Sequence, residues 1–239
     1  MKRLVLALTT LLLGGALGCS SMPERLAREP EELVQLEQRL QSEGDVYEVR
    51  WQLAAACLNV IDDHPASANK LKLTYAKRAL HHADKAVAQE PEKVEGHYLR
   101  AIALGRSLEF ETLPDLGLIG ELEREAQKAR QIDATHDHAG PLRFLALLYT
   151  KAPPWPIGPE LAREDDEIEN LWQEALRLAS GWVENHLGFA EFLYEHDRTA
   201  ESLAHAREAQ ALLAKTRLDP PQHEELRRRI QELLDALKS

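Results

Sequence analysis

The residues whose types could do chemistry are few and poorly spaced for it. His136 and His138 stand two apart in "THDH", a segment that reads as a surface turn. His81 and His82 are adjacent on a helical stretch, so successive side chains leave it in different directions and cannot share one ion. The chain lacks a Gly-x-Ser-x-Gly elbow, a phosphate-cradling glycine loop and a His-Glu-x-x-His zinc helix. Its 40 Asp and Glu residues are spread along helical stretches as solvated faces rather than gathered into an acid, base and nucleophile set. Cys57, inside "LAAACLNVI", reads as a small buried thiol. The expectation is a chain that is not an enzyme and needs no cofactor and no metal.

Cys19 is the exception, because its chemistry is that of processing. Lys2 and Arg3, the apolar run Leu4 to Leu13 and the small residues before Cys19 have the layout of a secretory signal, too short to span a bilayer. Ala16-Leu17-Gly18-Cys19 resembles the bacterial lipobox, in which the cysteine is lipidated and becomes the new N-terminus. The leucine lies two rather than three residues before the cysteine, a departure from the usual pattern. Ser20 in place of aspartate points to the outer membrane, facing the periplasm. Loss of Lys2 and Arg3 takes the net charge from -11 to -13, which excludes nucleic acid and leaves the lipid as the contact with the membrane. Lipidation also leaves Cys57 without an intrachain partner, so packing alone must hold the fold.

The elements that must carry any site are helical. Only 5% of residues are aromatic, and sustained apolar–polar alternation is absent. A pattern of large, apolar, small and large residues reads Trp51, Ala54, Ala55, Leu58; His97, Arg100, Ala101, Leu104; Leu142, Leu145, Ala146, Tyr149; and His186, Phe189, Ala190, Leu193. The starts at 51, 97, 142 and 186 are 46, 45 and 44 residues apart. After each comes a second face: Ala79, Ala83, Ala86; Leu122, Ala126, Ala129; Ile168, Trp172, Ala175; Ser202, Ala206, Ala209. These positions resemble the tetratricopeptide repeat (TPR), with an aromatic first helix and an alanine-rich second one. The resemblance implies an all-α, right-handed TPR-like solenoid of about four helix pairs. The first three connections inside a pair exceed the fourth by about 9 to 12 residues and predict enlarged loops on one edge. The organisation expected is a signal peptide at 1–18, a lipidated tether and lead-in helix at 19–44, the repeat domain at 45–218 and a C-terminal capping helix at 219–239.

Two of these insertions are apolar. "GRSLEFETLPDLGLIG" presents Phe110, Leu113 and Leu116, and the third carries Trp155, Pro156 and Ile157 among four prolines that hold one backbone shape at little entropic cost. Such loops either pack on one another to cap the repeats or line a groove for an apolar ligand or a partner.

"GPLRFLALLYTKAPPWPIG" resembles the T component of tripartite ATP-independent periplasmic (TRAP) transporters, with Arg143, Leu145, Tyr149, Ala152, Pro153, Trp155, Pro156 and Gly158 in matching places. It departs at Pro159 and the acidic "REDDEIE". The resemblance implies an adaptor that docks a periplasmic solute-binding protein and can hold a hydrophobic small molecule, with a homo-oligomer as a further option. The candidate binding residues are therefore Phe110, Leu113, Leu116, Arg143, Tyr149, Trp155, Pro156 and Ile157. The competing reading is a general TPR scaffold lipoprotein in outer-membrane or pilus assembly.

Overall fold

The structure is a computed structural model and describes residues 29–64, 68–151, 163–218 and 220–238. Among these residues the regular structure is helical throughout: α1 (Glu31–Glu43), α2 (Tyr47–Asp62), α3 (Asn69–Gln89), α4 (Val94–Phe110), a 3-10 turn (Leu116–Leu118), α5 (Ile119–Ile132), α6 (His136–Lys151), α7 (Asp165–Leu178), α8 (Val183–Glu195), α9 (Thr199–Leu213) and α10 (Pro220–Ala236). None of these helices is long and apolar enough to cross a membrane. Helices α2/α3, α4/α5, α6/α7 and α8/α9 form the four pairs, α1 packs on α2, and α10 packs on α9. This is the TPR-like solenoid of helix pairs that the repeat pattern predicts.

Local sequence explains where the first helices begin. Helices α2, α4 and α8 open on a buried Tyr47, Val94 or Val183 followed at once by Glu48, Glu95 or Glu184. The apolar residue anchors the entry, and the carboxylate complements the unsatisfied N–H groups of the first turn. Helix α6 departs from this rule. Its first turn is left-handed at Asp137, His138 and Ala139 (φ 47°, 54° and 66°), and regular helix follows from Gly140 and Pro141.

The second-helix pattern is buried at all twelve positions, Ala79 through Ala209. Small residues there let paired helices approach closely. Trp172 takes one of these slots, and the solenoid accommodates it across the next pair at Gly188, where a Cβ would lie 2.2 Å from the indole.

In the first helices Ala101, Ala146 and Ala190 are fully buried, as the pattern requires. The first repeat corrects the register by one residue. Ala54 is fully buried and Ala55 is not, so Arg50, Leu53, Ala54 and Cys57 are the equivalents of Leu142, Leu145, Ala146 and Tyr149, and Trp51 is only half-buried.

The connections inside the pairs span 63–68, 111–118 and 152–164, against 196–198 in the last. They are enlarged, but part of the surplus expected in loops is wound into helix. Helix α3 runs for 21 residues against 15 in α9, and "GRSLEF" belongs to α4. Buried side chains fall into a cluster around α2 and α3, a central cluster around α6 and α7, a third where α8, α9 and α10 meet, and a small fourth of Val94, Tyr98 and Ala129 between α4 and α5.

Candidate docking groove and its supports

The structure distributes the candidate residues rather than gathering them. Phe110 ends α4 and packs on the first-repeat cluster, with the Lys72 ammonium 5.5 Å from its ring centre. Leu113 stands 90% exposed in the following connection, and Leu116 opens the 3-10 turn. Tyr149 belongs to the central cluster, so it and Phe110 pack in different parts of the core. Trp155, Pro156 and Ile157 lie outside the described residues, as does Cys19.

Tyr149 is buried in a polar frame at the end of α6. Its hydroxyl donates to Glu123 Oε1 at 2.5 Å and accepts from Gln127 Nε2 at 3.0 Å. The Arg163 guanidinium covers the ring at 4.7 Å and bonds the same Glu123 at 2.8 Å. Burial, then the hydrogen bond to Glu123, raises the phenol above its ordinary pKa. The frame thus pins both described ends of the third connection, at Tyr149 and at Arg163.

Arg143 is turned inward, only 8% exposed. Nη1 donates to Asn185 Oδ1 at 3.0 Å and to the His138 carbonyl at 3.3 Å, while Nη2 donates to Asp137 Oδ2 at 3.2 Å. Asn185, fully buried, donates to the His138 carbonyl at 3.0 Å and to the Ala179 carbonyl at 3.1 Å. Tyr98 of α4 donates to Asp137 Oδ2 at 2.7 Å.

This node holds the left-handed turn. Non-glycine residues in that conformation cost about 1–2 kcal/mol each, which the converging bonds from three helices offset. Gly140 is required beneath it, because a Cβ would meet the Tyr98 hydroxyl at 2.3 Å. The exposed His138 ring stacks on Trp182 at 3.8 Å, and the indole N–H donates to Glu184 at 3.0 Å. Among the described residues no three metal-ligating side chains come together, at "THDH" or elsewhere.

A groove of about 1170 Å³ opens between the ends of α2 and α4 and helix α10. Asp62, His64, Lys72 and Arg106 form one wall, and the α10 face running from Gln222 through Glu225 and Arg228 to Asp235 forms the other. Its charges are paired along the walls: Arg106 with Asp62 at 2.8 Å, and Arg228 with Glu225 and Glu232 at 2.7 Å each. Asp62 keeps 61% of its side chain accessible, yet the overhanging groove raises its carboxyl above the ordinary range despite Arg106 and Lys72. Exposed pairs of this kind contribute little to stability, so they can exchange partners at low cost.

Sequence reasoning missed Asn185, Trp182 and the α10 wall. The signal for Asn185 was a polar residue inside the apolar run of α8; the α10 wall left no local signal.

Known proteins resemble this geometry at the level of fold. Residues 24–137 match the family described as Regulator of microtubule dynamics protein 1-3. That match takes in the lead-in helix and the first two repeats and ends at Asp137, before the 140–158 segment. A thermophilic TPR protein of Thermus thermophilus, solved as a crystal structure, superposes with a TM-score of 0.61 at 20% identity, over 84% of this chain and 88% of that one. No curated protein matches the chain.

Proposed function

We propose that the chain is a non-catalytic, lipid-anchored TPR scaffold of the bacterial envelope that docks a protein partner in its concave groove, serving as the adaptor of a TRAP-type solute transport system. The groove is the observation that carries this reading. It is open, sized for a polypeptide segment, and among the described residues that line it Leu226 alone is apolar. A lining of exchangeable ion pairs suits a polar protein surface better than an apolar small molecule. The solute-binding protein as partner rests on the likeness of Arg143 to Gly158 to the T component. A hydrophobic ligand would depend on the Trp155 to Ile157 stretch. The superposition on a TPR protein equally suits a general scaffold for outer-membrane or pilus assembly, and the partner captured distinguishes the two.

The test reverses one wall. Lys72→Glu combined with Arg106→Glu should weaken capture of the solute-binding protein encoded beside this chain by roughly tenfold or more, a difference of about 1.4 kcal/mol. Helical content should be unaltered by circular dichroism. Undiminished capture would exclude the groove as the docking surface, and selective capture of barrel-assembly or pilus components would favour the scaffold reading.

A further inference from the structure

The last repeat contains a pair of histidines that the docking reading does not use. His186 of α8 and His205 of α9 bring Nδ1 to Nδ1 at 3.0 Å. The other nitrogen of His186, Nε2, lies 2.9 Å from the Ser180 carbonyl, which can only accept. Nε2 of His186 therefore carries the proton, its Nδ1 is a bare lone pair in the neutral ring, and His205 must donate from Nδ1.

The ring centres are 5.3 Å apart, longer than the nitrogen separation by about two ring radii. The two nitrogens thus aim at each other along one line. Metal ligands would instead converge on a point beside that line, so the geometry is that of a hydrogen bond. His205 also meets the Phe189 ring edge-on at 4.8 Å. The charged and titratable groups bearing on it are His186 from α8 and Glu201 and Glu208 from α9, and Glu201 is held by Arg198 at 2.7 Å.

Such a bridge accepts one extra proton but not two. The first goes to the free Nε2 of His205 and leaves the bridge in place. The second must enter on Nδ1 of His186, which destroys the acceptor and sets two imidazolium N–H groups face to face.

We propose that the His186–His205 bridge is an acid-sensitive latch that holds α9 to α8 and, through α9, the α10 wall of the groove. Helix α10 seats Leu226, Ile230, Leu233 and Leu234 in the cluster that also contains Ala206 and Ala209 of α9. Gln210 of α9 lines the groove itself. Burial, and then the neighbouring His186, hold His205 below its ordinary pKa. A histidine that titrates lower in the fold than in the unfolded chain, where the value is about 6.5, favours the fold at higher pH. Protonation of His205 thus costs the fold stability as pH falls below that value but keeps the bridge, and the latch opens as pH falls further and the second proton reaches Nδ1 of His186. The inference stands or falls independently of what the groove binds.

Long-range 1H–15N spectra of the mature chain near pH 8 should show the proton of His205 on Nδ1 and that of His186 on Nε2. Hydrogen-exchange protection of the α9 amides should drop between about pH 7.5 and about pH 5. His205→Gln keeps an N–H donor, and its amide can also turn its oxygen to accept from a protonated His186, so it should abolish that drop. A His205 proton on Nε2 at alkaline pH overturns the latch, and so does an acid loss of α9 protection that His205→Gln leaves unchanged. The tautomers of the parent chain decide the matter if the variant does not fold.

Discussion

Three of the four repeats place a polar side chain at the first-helix position equivalent to Leu142, and each reaches across its own pair. Arg50 Nη1 donates to His82 Nδ1 at 3.0 Å, and His186 meets His205. His97 has Glu125 on one nitrogen at 2.6 Å and the Pro91 carbonyl on the other at 2.8 Å. The partners set opposite protonation states. Two acceptors make His97 a double donor, so the Glu125 hydrogen bond raises its pKa despite burial. Burial, and then Arg50, lower His82 from 6.5 to about 4. The signs follow: His97 contributes stability that is full below 6.5 and is lost as pH rises through its folded value, whereas the His82 contribution is lost as pH falls from 6.5 towards 4. His82→Gln, which can still accept from Arg50, should reduce the acid-induced loss of unfolding free energy by about 3 kcal/mol. Urea unfolding near neutral pH and near pH 4, compared between parent and variant, reads this directly. Identical losses would mean that His82 is charged in the fold.

At the scale of the element, the close approach of helices is the controlling feature. Ala146 is fully buried in the central cluster beside Leu142, Leu145 and Trp172. Ala146→Leu should overpack that contact and cost roughly 1–3 kcal/mol, read as a lowered thermal midpoint. An unaltered midpoint would contradict the register. The second-helix register was legible because its small residues recur at helical spacing with no competing alternative. The first repeat was not, because the run Ala54-Ala55-Ala56 has no unique small landmark and Trp51 resembles the aromatic of the pattern. Arg50 takes the place, since its stem spans the packing while its guanidinium reaches His82 and, at 2.5 Å, Asp45. Loop lengths were overestimated for a related reason. Repeat spacing counts the residues between two core positions but does not say whether they continue a helix, as "GRSLEF" does.

At the scale of the molecule, the groove exists because the solenoid turns α10 to face the ends of α2 and α4 and the start of α3, residues more than a hundred positions away. Where the groove sits in the cell depends on the proposed lipid at Cys19. Cys19→Ala should release the protein from the membrane fraction into the soluble periplasm, or leave it with its signal uncleaved, while the parent fractionates with membranes. Equal partition of the two forms without detergent would remove the anchor from the proposal and leave the groove standing.

The amino-acid sequence by itself determined the helical class, the four-fold repetition and the buried small-residue face, because each depends on spacing within a single helix or on a period along the chain. It also marked Arg143 and Tyr149 as unusual without saying how they are used. Only the tertiary structure decided that Arg143 turns inward to hold a left-handed turn with Asn185, and that Tyr149 stands under Arg163. It alone set charged α10 opposite Lys72 and Arg106. The physical reason is that a helix fixes neighbours three and four residues away, whereas a polar side chain finds its partner wherever the superhelical turn brings a complementary group within about 3 Å. That distance depends on the accumulated angle between all the pairs, which no local stretch encodes.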